Sequence, residues 1–136
     1  MAHAGFILYQ TSFLASLAQG LAASGQRVGA VAAVNQAIAQ CDRTGESWLL
    51  AELYRIRGDI RLREGEADLL QALEIARGQG ALAWELRTAT SLARHWQAMH
   101  RSTDARTLIS AAFAKFTEGF ATPDHRAASA LLSDLG

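Results

Sequence analysis

Apolar residues recur every three or four positions along almost the whole chain, and no stretch alternates as a half-buried strand would. The spacing predicts a first helix through Phe6, Phe13, Leu14, Leu17, Ala18 and Leu21, ending near Ser24-Gly25. A second runs through Val31, Val34, Ala37, Ile38 and Cys41 and is closed by Thr44-Gly45. A third extends from Trp48 through Tyr54 and Ile60 to about Arg63, and a short fourth carries Ala67, Leu70, Leu73 and Ala76, with Gly78 and Gly80 as stops. A fifth spans Trp84 to about Met99, a sixth holds Ala105, Ile109, Ala112 and Phe116, and a seventh runs from Pro123 to about Leu135.

Short turns between successive helices predict helical hairpins, and hairpins invite a search for repeats. Ala18 is followed by Ala30 after 12 residues and by Ala37 after 7 more; Ala93 is followed by Ala105 and Ala112 at the same two intervals. Small residues at these points let paired helices approach closely, while larger neighbours such as Leu14, Leu17, Leu92 and Trp96 fill the space to the next hairpin. This spacing resembles that of tetratricopeptide repeats. In the second hairpin Tyr54, Gly58 and Ala72 fit, but Gly58 to Ala72 spans 14 residues against 19 in the others. Its inter-helix turn, near Arg63 to Glu66, is therefore about five residues short, and its second helix is expected to start late. The expected fold is all-α: a right-handed α-α superhelix of three hairpins (about 6–43, 46–78 and 81–117) and a terminal capping helix, 123–135, in one domain.

Composition narrows the function classes. The 13 basic and 13 acidic residues cancel, which argues against nucleic-acid binding, where a basic excess or stripe is usual. Charge is unevenly distributed: residues 1 to 41 contain only Arg27. The uncharged stretch from Ala4 to Gln26 is not preceded by a basic signal-peptide start, and Gln10, Thr11, Ser12 and Gln19 interrupt any membrane-length apolar run. It reads as a soluble helix buried on more than one side. Cys41 is the only cysteine, so no intramolecular disulfide or cysteine-based zinc site can form. A reducing cytoplasm is the expected compartment, with Cys41 as a small core residue.

The segments "TGESWLLAELYRIRGDIRL", "QALEIARGQGALAWELRTATSLARHW" and "FTEGFATPDHRAASALL" carry a closer resemblance. They resemble the C-terminal helical-repeat region of large bacterial signalling proteins. Such proteins join a cyclase or DNA-binding output domain to an ATPase module and then to tetratricopeptide-like repeats. The resemblance, from about Phe13 to Leu135, implies a regulatory or interaction scaffold cut from a longer protein. It brings no cyclase metal-binding acids and no phosphate-binding loop. The chain departs from the pattern at the short second hairpin, at His100-Arg101-Ser102 where a glycine turn is usual, and at His125 where a leucine is usual.

Catalytic signatures are not found. His95 and His100 are five apart and do not share a helix face as metal ligands four apart would. "GQGALA" follows a helix instead of a strand, and no GKS or GKT occurs, so neither nucleotide nor other cofactor is expected. Ser91 and Ser110 lack the glycines of a nucleophile elbow. Glu64 and Glu66 sit in a charged turn that reads as solvated surface. The segment from Ala114 to Leu132 reads as a joint: Gly119 at a helix end, Thr122 capping the next helix, Pro123 at its first position and Asp124 at the positive end of its dipole. Phe116 and Phe120 are expected to anchor that last helix.

Two surfaces remain as binding candidates. The exposed face of each hairpin's first helix lines the concave side of such solenoids. It would hold Glu52, Arg55, Asp59 and Arg63 on the third helix and Arg87, Thr90, Arg94 and Gln97 on the fifth. A partner's acidic segment would be gripped through Arg55, Arg87 and Arg94, because guanidinium pairs bidentately with carboxylate. A different class of function would place a small anionic ligand in the same groove. With no ligand, Arg55–Asp59 and Asp59–Arg63 would be ordinary helical ion pairs. The second surface is the charge-poor first hairpin, where Phe6, Ile7, Leu8, Tyr9, Val28, Val31 and Val34 have no charged neighbour but Arg27. It is expected to pack on upstream repeats or on a second copy of the chain, giving a homodimer in isolation. The function expected is therefore a non-enzymatic protein-interaction or self-association module.

Overall fold

The computed structural model describes residues 3–45, 47–116 and 122–136, with side chains from Thr11 onward. All of its regular structure among these residues is helical: α1 His3–Ala23, α2 Arg27–Thr44, α3 Leu50–Arg61, α4 Glu66–Gln79, α5 Leu82–Ala98, α6 Ser102–Phe113 and α7 Pro123–Leu135. Consecutive helices pack as antiparallel neighbours joined by short turns, and α1, α3, α5 and α7 also touch in succession. The odd helices thus form one layer, backed by α2, α4 and α6.

Helix ends follow from local chemistry. Gly45 closes α2 and Gly80 closes α4, each with positive φ (73° and 66°), a conformation that glycine adopts without a Cβ clash. Gly78 does not stop α4, which runs through it to Gln79. Thr122 caps α7 as expected, its hydroxyl accepting the His125 backbone N–H at 3.2 Å, with Pro123 in the first turn. Gly119 and Phe120 lie outside the described residues. His100 takes the left-handed conformation (φ 61°) that a glycine would otherwise fill. Leu62 also has a positive φ (54°), but with ψ −120°, where α3 gives way to one turn of 3-10 helix, Leu62–Gly65.

That 3-10 turn is the short link of the second hairpin. It works because two backbones meet there without side chains. A Cβ on Gly65 would lie 1.9 Å from the Gly58 carbonyl oxygen, and one on Gly58 would lie 2.7 Å from the Leu69 side chain. Both glycine hydrogens are needed there, and α4 then begins at Glu66, six residues before Ala72, whereas α2 and α6 begin ten before Ala37 and Ala112; the second helix of this hairpin thus starts late, as the spacing predicts.

The core has two centres. One gathers Leu14, Ala18, Ala30, Val34, Ala37, Ile38 and Cys41 from the first hairpin against Leu53, Ile56 and Ile60 of α3. The other gathers Leu69 and Leu73 of α4 with Leu86, Leu92, Ala93, Ile109, Ala128 and Leu131. The alanines of the repeat register, Ala18, Ala30, Ala37, Ala93, Ala105 and Ala112, are all buried, as close helix pairing requires. His125 is buried too, with its ring centroid 4.1 Å from that of Phe113 and 6.0 Å from that of Phe116, an aromatic filler where the resemblance has leucine.

Candidate functional site

The odd-helix layer brings most of the sequence-nominated groove together, but as a closed ladder of charges. Arg55 of α3 forks onto Glu52 with contacts of 2.7 and 3.0 Å and reaches Asp59 at 3.0 Å. Glu52 also accepts from Arg87 of α5 at 2.9 Å, and Arg87 forks onto Asp124 of α7 at 2.9 and 3.0 Å. The order Asp59–Arg55–Glu52–Arg87–Asp124 alternates sign across three helices. Ser91 completes it, donating to Asp59 at 3.3 Å, so its hydroxyl is tied into the ladder.

Electrostatics follows from this geometry. Burial alone would raise the Glu52 carboxyl, but Arg55 and then Arg87 hold it below the usual range. Asp59 moves the other way, because burial outweighs the attraction of Arg55. The hydrogen bonds that Arg87 donates to Asp124 raise its guanidinium further above its already high value.

Arg55 and Arg87 are therefore not free to grip a partner. The Arg55 side chain is only 12% exposed, and both guanidiniums already face carboxylates. Thr90 is buried, with its hydroxyl donating to the Leu86 carbonyl at 2.8 Å, which removes it from any exposed groove. Gln97 is half-buried. The Arg55–Asp59 pair forms, whereas no Asp59–Arg63 contact does. The cavity beside Arg55 and Arg87 measures about 90 Å³, room for a few waters at ~30 Å³ each. A larger cavity of about 370 Å³ lies between the ends of α3 and α5, and Arg63 and Arg94 both reach it. Neither makes a hydrogen bond or close ion pair among the described residues, although Arg94 attracts the Asp59 carboxylate at longer range.

Two further side-chain clusters tie hairpins together. Asp68 of α4 accepts both arms of Arg57 at 2.7 and 3.0 Å, and Arg57 also donates to Asn35 at 2.8 Å. Glu66 is not idle surface: it accepts from the Trp96 indole at 2.6 Å and from Arg101 at 3.0 Å, and these bonds lower its carboxyl, Trp96 foremost. Sequence reasoning missed Asp124 and Glu66 as cross-helix partners because their arginines lie 37 and 35 residues away, beyond any local spacing rule. Among the described residues no group of three or more histidine, cysteine or acidic side chains could hold a metal ion. No helix there is long and apolar enough to cross a membrane.

The second nominated surface changes membership. Val34 is fully buried between α1 and α3 and must be removed from it, since it is a core position of the hairpin. Val31 is half-buried, and Val28 is 88% exposed. The side chains of Phe6, Ile7, Leu8 and Tyr9 lie outside the described residues. Two positions not nominated stand out instead: Phe13 at 56% and Leu17 at 41% exposure, four apart on α1. In the third hairpin the same register positions are Thr88 and Leu92, and both are buried where α5 meets α3 and α4.

With that geometry in place, comparison adds one relative. An alignment 78 positions long, covering 53% of the chain, is 41% identical to part of an uncharacterized protein of Rhizobium meliloti (strain 1021). The match covers 8% of that protein's length, so the chain spans a small part of the relative. No protein-family model matches the chain, and no solved structure matches it significantly.

Proposed function

We propose that this chain is a non-catalytic, cytoplasmic interaction module of a bacterial signalling protein, built as a right-handed tetratricopeptide-like superhelix capped by α7. One observation carries the reading: α1 exposes Phe13 and Leu17 at the register positions that α5 buries under the preceding hairpin. The surface is shaped and coloured for another helical hairpin. In a longer protein that hairpin is an upstream repeat, a setting matched by the far greater length of the Rhizobium relative. In the isolated chain it is a second copy. Burial of the remaining exposed half of these two apolar side chains, roughly 1 kcal/mol each, supplies a contribution to association that no charge on α1 opposes.

Sedimentation velocity across micromolar concentrations tests this. The wild-type chain is expected to shift towards dimer as concentration rises, and Phe13→Lys with Leu17→Lys is expected to return it to monomer with its helicity intact. A wild-type chain that remains a monomer throughout would sink the self-association reading. A small anion held between Arg55 and Arg87 is not favoured, given their carboxylate partners and the small cavity beside them.

A further inference from the structure

We infer that the cavity between the C-terminal ends of α3 and α5 is a binding site for a small amphipathic carboxylate, a monoanion with an apolar tail. Ser91, Arg94, His95, Ala98 and Met99 recur at helical spacing and form one wall from a single face of α5. The facing wall comes from the end of α3 and the 3-10 turn, with Asp59, Leu62 and Arg63, and Leu69 of α4 closes the base. At about 370 Å³ the space lies within the range of small-molecule pockets, roughly 300–1,000 Å³.

Its chemistry is divided. Leu62, Leu69, Ala98 and Met99 offer an apolar surface for a tail. Arg63 and Arg94 are exposed and make no hydrogen bond or close ion pair among the described residues, and the field of Arg94 also acts on Asp59, whose carboxylate Arg55 and Ser91 hold. His95 adds a buried Nε2 with no hydrogen-bond partner among those residues. Asp59 is the acid in the lining, and its carboxylate is held at the edge by Arg55 and Ser91. Two arginines against one aspartate favour a single negative charge and disfavour a phosphate dianion, which would meet Asp59. Guanidinium recognises a carboxylate through paired N–H donors, and this geometry supplies the head-group selectivity.

Among the described residues, two non-glycine residues have positive φ, and both fall in or next to the lining. Leu62 lines it, and His100 directly follows the lining residue Met99. Non-glycine residues held at positive φ cluster where a binding surface requires them.

Octanoate titrated into the full chain, followed by amide NMR shifts and calorimetry, tests the inference. Saturable binding is expected, with shifts centred on Leu62, Ala98 and Met99, and acetate and octylamine should bind at least about tenfold more weakly. Arg63→Gln with Arg94→Gln should weaken octanoate by about tenfold or more, Ala98→Trp should block it by filling the cavity, and Arg27→Gln on the other hairpin should leave it unchanged. Circular dichroism confirms that each variant is folded. No saturation by octanoate in the millimolar range, equal binding of octylamine, unchanged affinity in the double variant, or shifts centred on α1 would each overturn the site. The outcome is independent of whether α1 docks a second copy, because the monomeric Phe13→Lys/Leu17→Lys chain retains the cavity.

Discussion

The first hairpin, α1–α2, and the third, α5–α6, carry the same alanines in the same register, and all six are buried. Around that shared seam the two hairpins differ. The third has an earlier hairpin on one side and α7 on the other, and acids and arginines cross to both: Arg87 to Glu52 and Asp124, and Trp96 and Arg101 to Glu66. The first has a neighbour on one side, carries Arg27 as its one charge up to Cys41, and exposes apolar side chains where the third buries them. The lesson is that a repeat's inner seam is set by the hairpin itself, whereas the chemistry of its outer faces is set by what stacks on them.

The largest expected effect separates equivalent leucines. Leu92→Ala removes a fully buried side chain from the second core and should cost about 2–5 kcal/mol of stability. Leu17→Ala, at the same register position, should cost about 1–2 kcal/mol in the monomer, clearly less than Leu92→Ala, because the side chain is already 41% exposed. Chemical denaturation of both variants at low protein concentration checks this. Equal losses would break the comparison.

A smaller effect concerns the charge ladder. Glu52→Gln removes the negative charge between Arg55 and Arg87 and one of the two acceptor oxygens, and should cost about 1–3 kcal/mol near neutral pH. The sign with pH follows from the lowered carboxyl of Glu52. Its contribution is complete above the ordinary glutamate value of 4.5 and is lost as pH falls through the lower folded value. Asp59, raised by burial, works in the opposite sense, gaining stability as it takes up its proton. Acid should therefore weaken the wild type more than Glu52→Gln. Hydrogen exchange should accelerate first in α5 and α7, while the first hairpin, held by apolar packing, changes little. Uniform acceleration across both hairpins would remove the distinction.

The smallest effect tests the turn that the two hairpins share. Gly25 (φ 83°) and His100 (φ 61°) occupy the same position between paired helices. His100→Gly should gain about 0.5–1 kcal/mol by relieving a left-handed backbone, and Gly25→Ala should lose about 1 kcal/mol, read as opposite shifts of melting temperature. Shifts of the same sign would mean that the two turns are not equivalent.

How much of this was legible in the sequence depends on the range of each interaction. Helix spacing, the alanine register, the Thr122 cap and the Gly45 and Gly80 stops rest on contacts within a few residues, and all are found in the structure. The short link of the second hairpin could be counted but not explained, because it depends on Gly58 and Gly65 meeting across a turn. The nominated groove failed in part for a related reason: a helical wheel shows which way Arg55 and Arg87 point, not that Glu52 and Asp124 will be there to neutralise them.

By itself, the sequence determined that this chain is helical, roughly where its helices lie to within a few residues, and which small residues let them pair, since each is a short-range consequence of backbone sterics and hydrophobic period. Tertiary structure alone decided which charges cancel and which stay free. It sealed Val34 into the core, left Phe13 and Leu17 outside it, and turned three arginine candidates into two locked struts and one open site at Arg94, joined there by Arg63. The reason is physical: the free energy of a charge or an apolar side chain is fixed by the groups that surround it, and those groups arrive from distant parts of the chain.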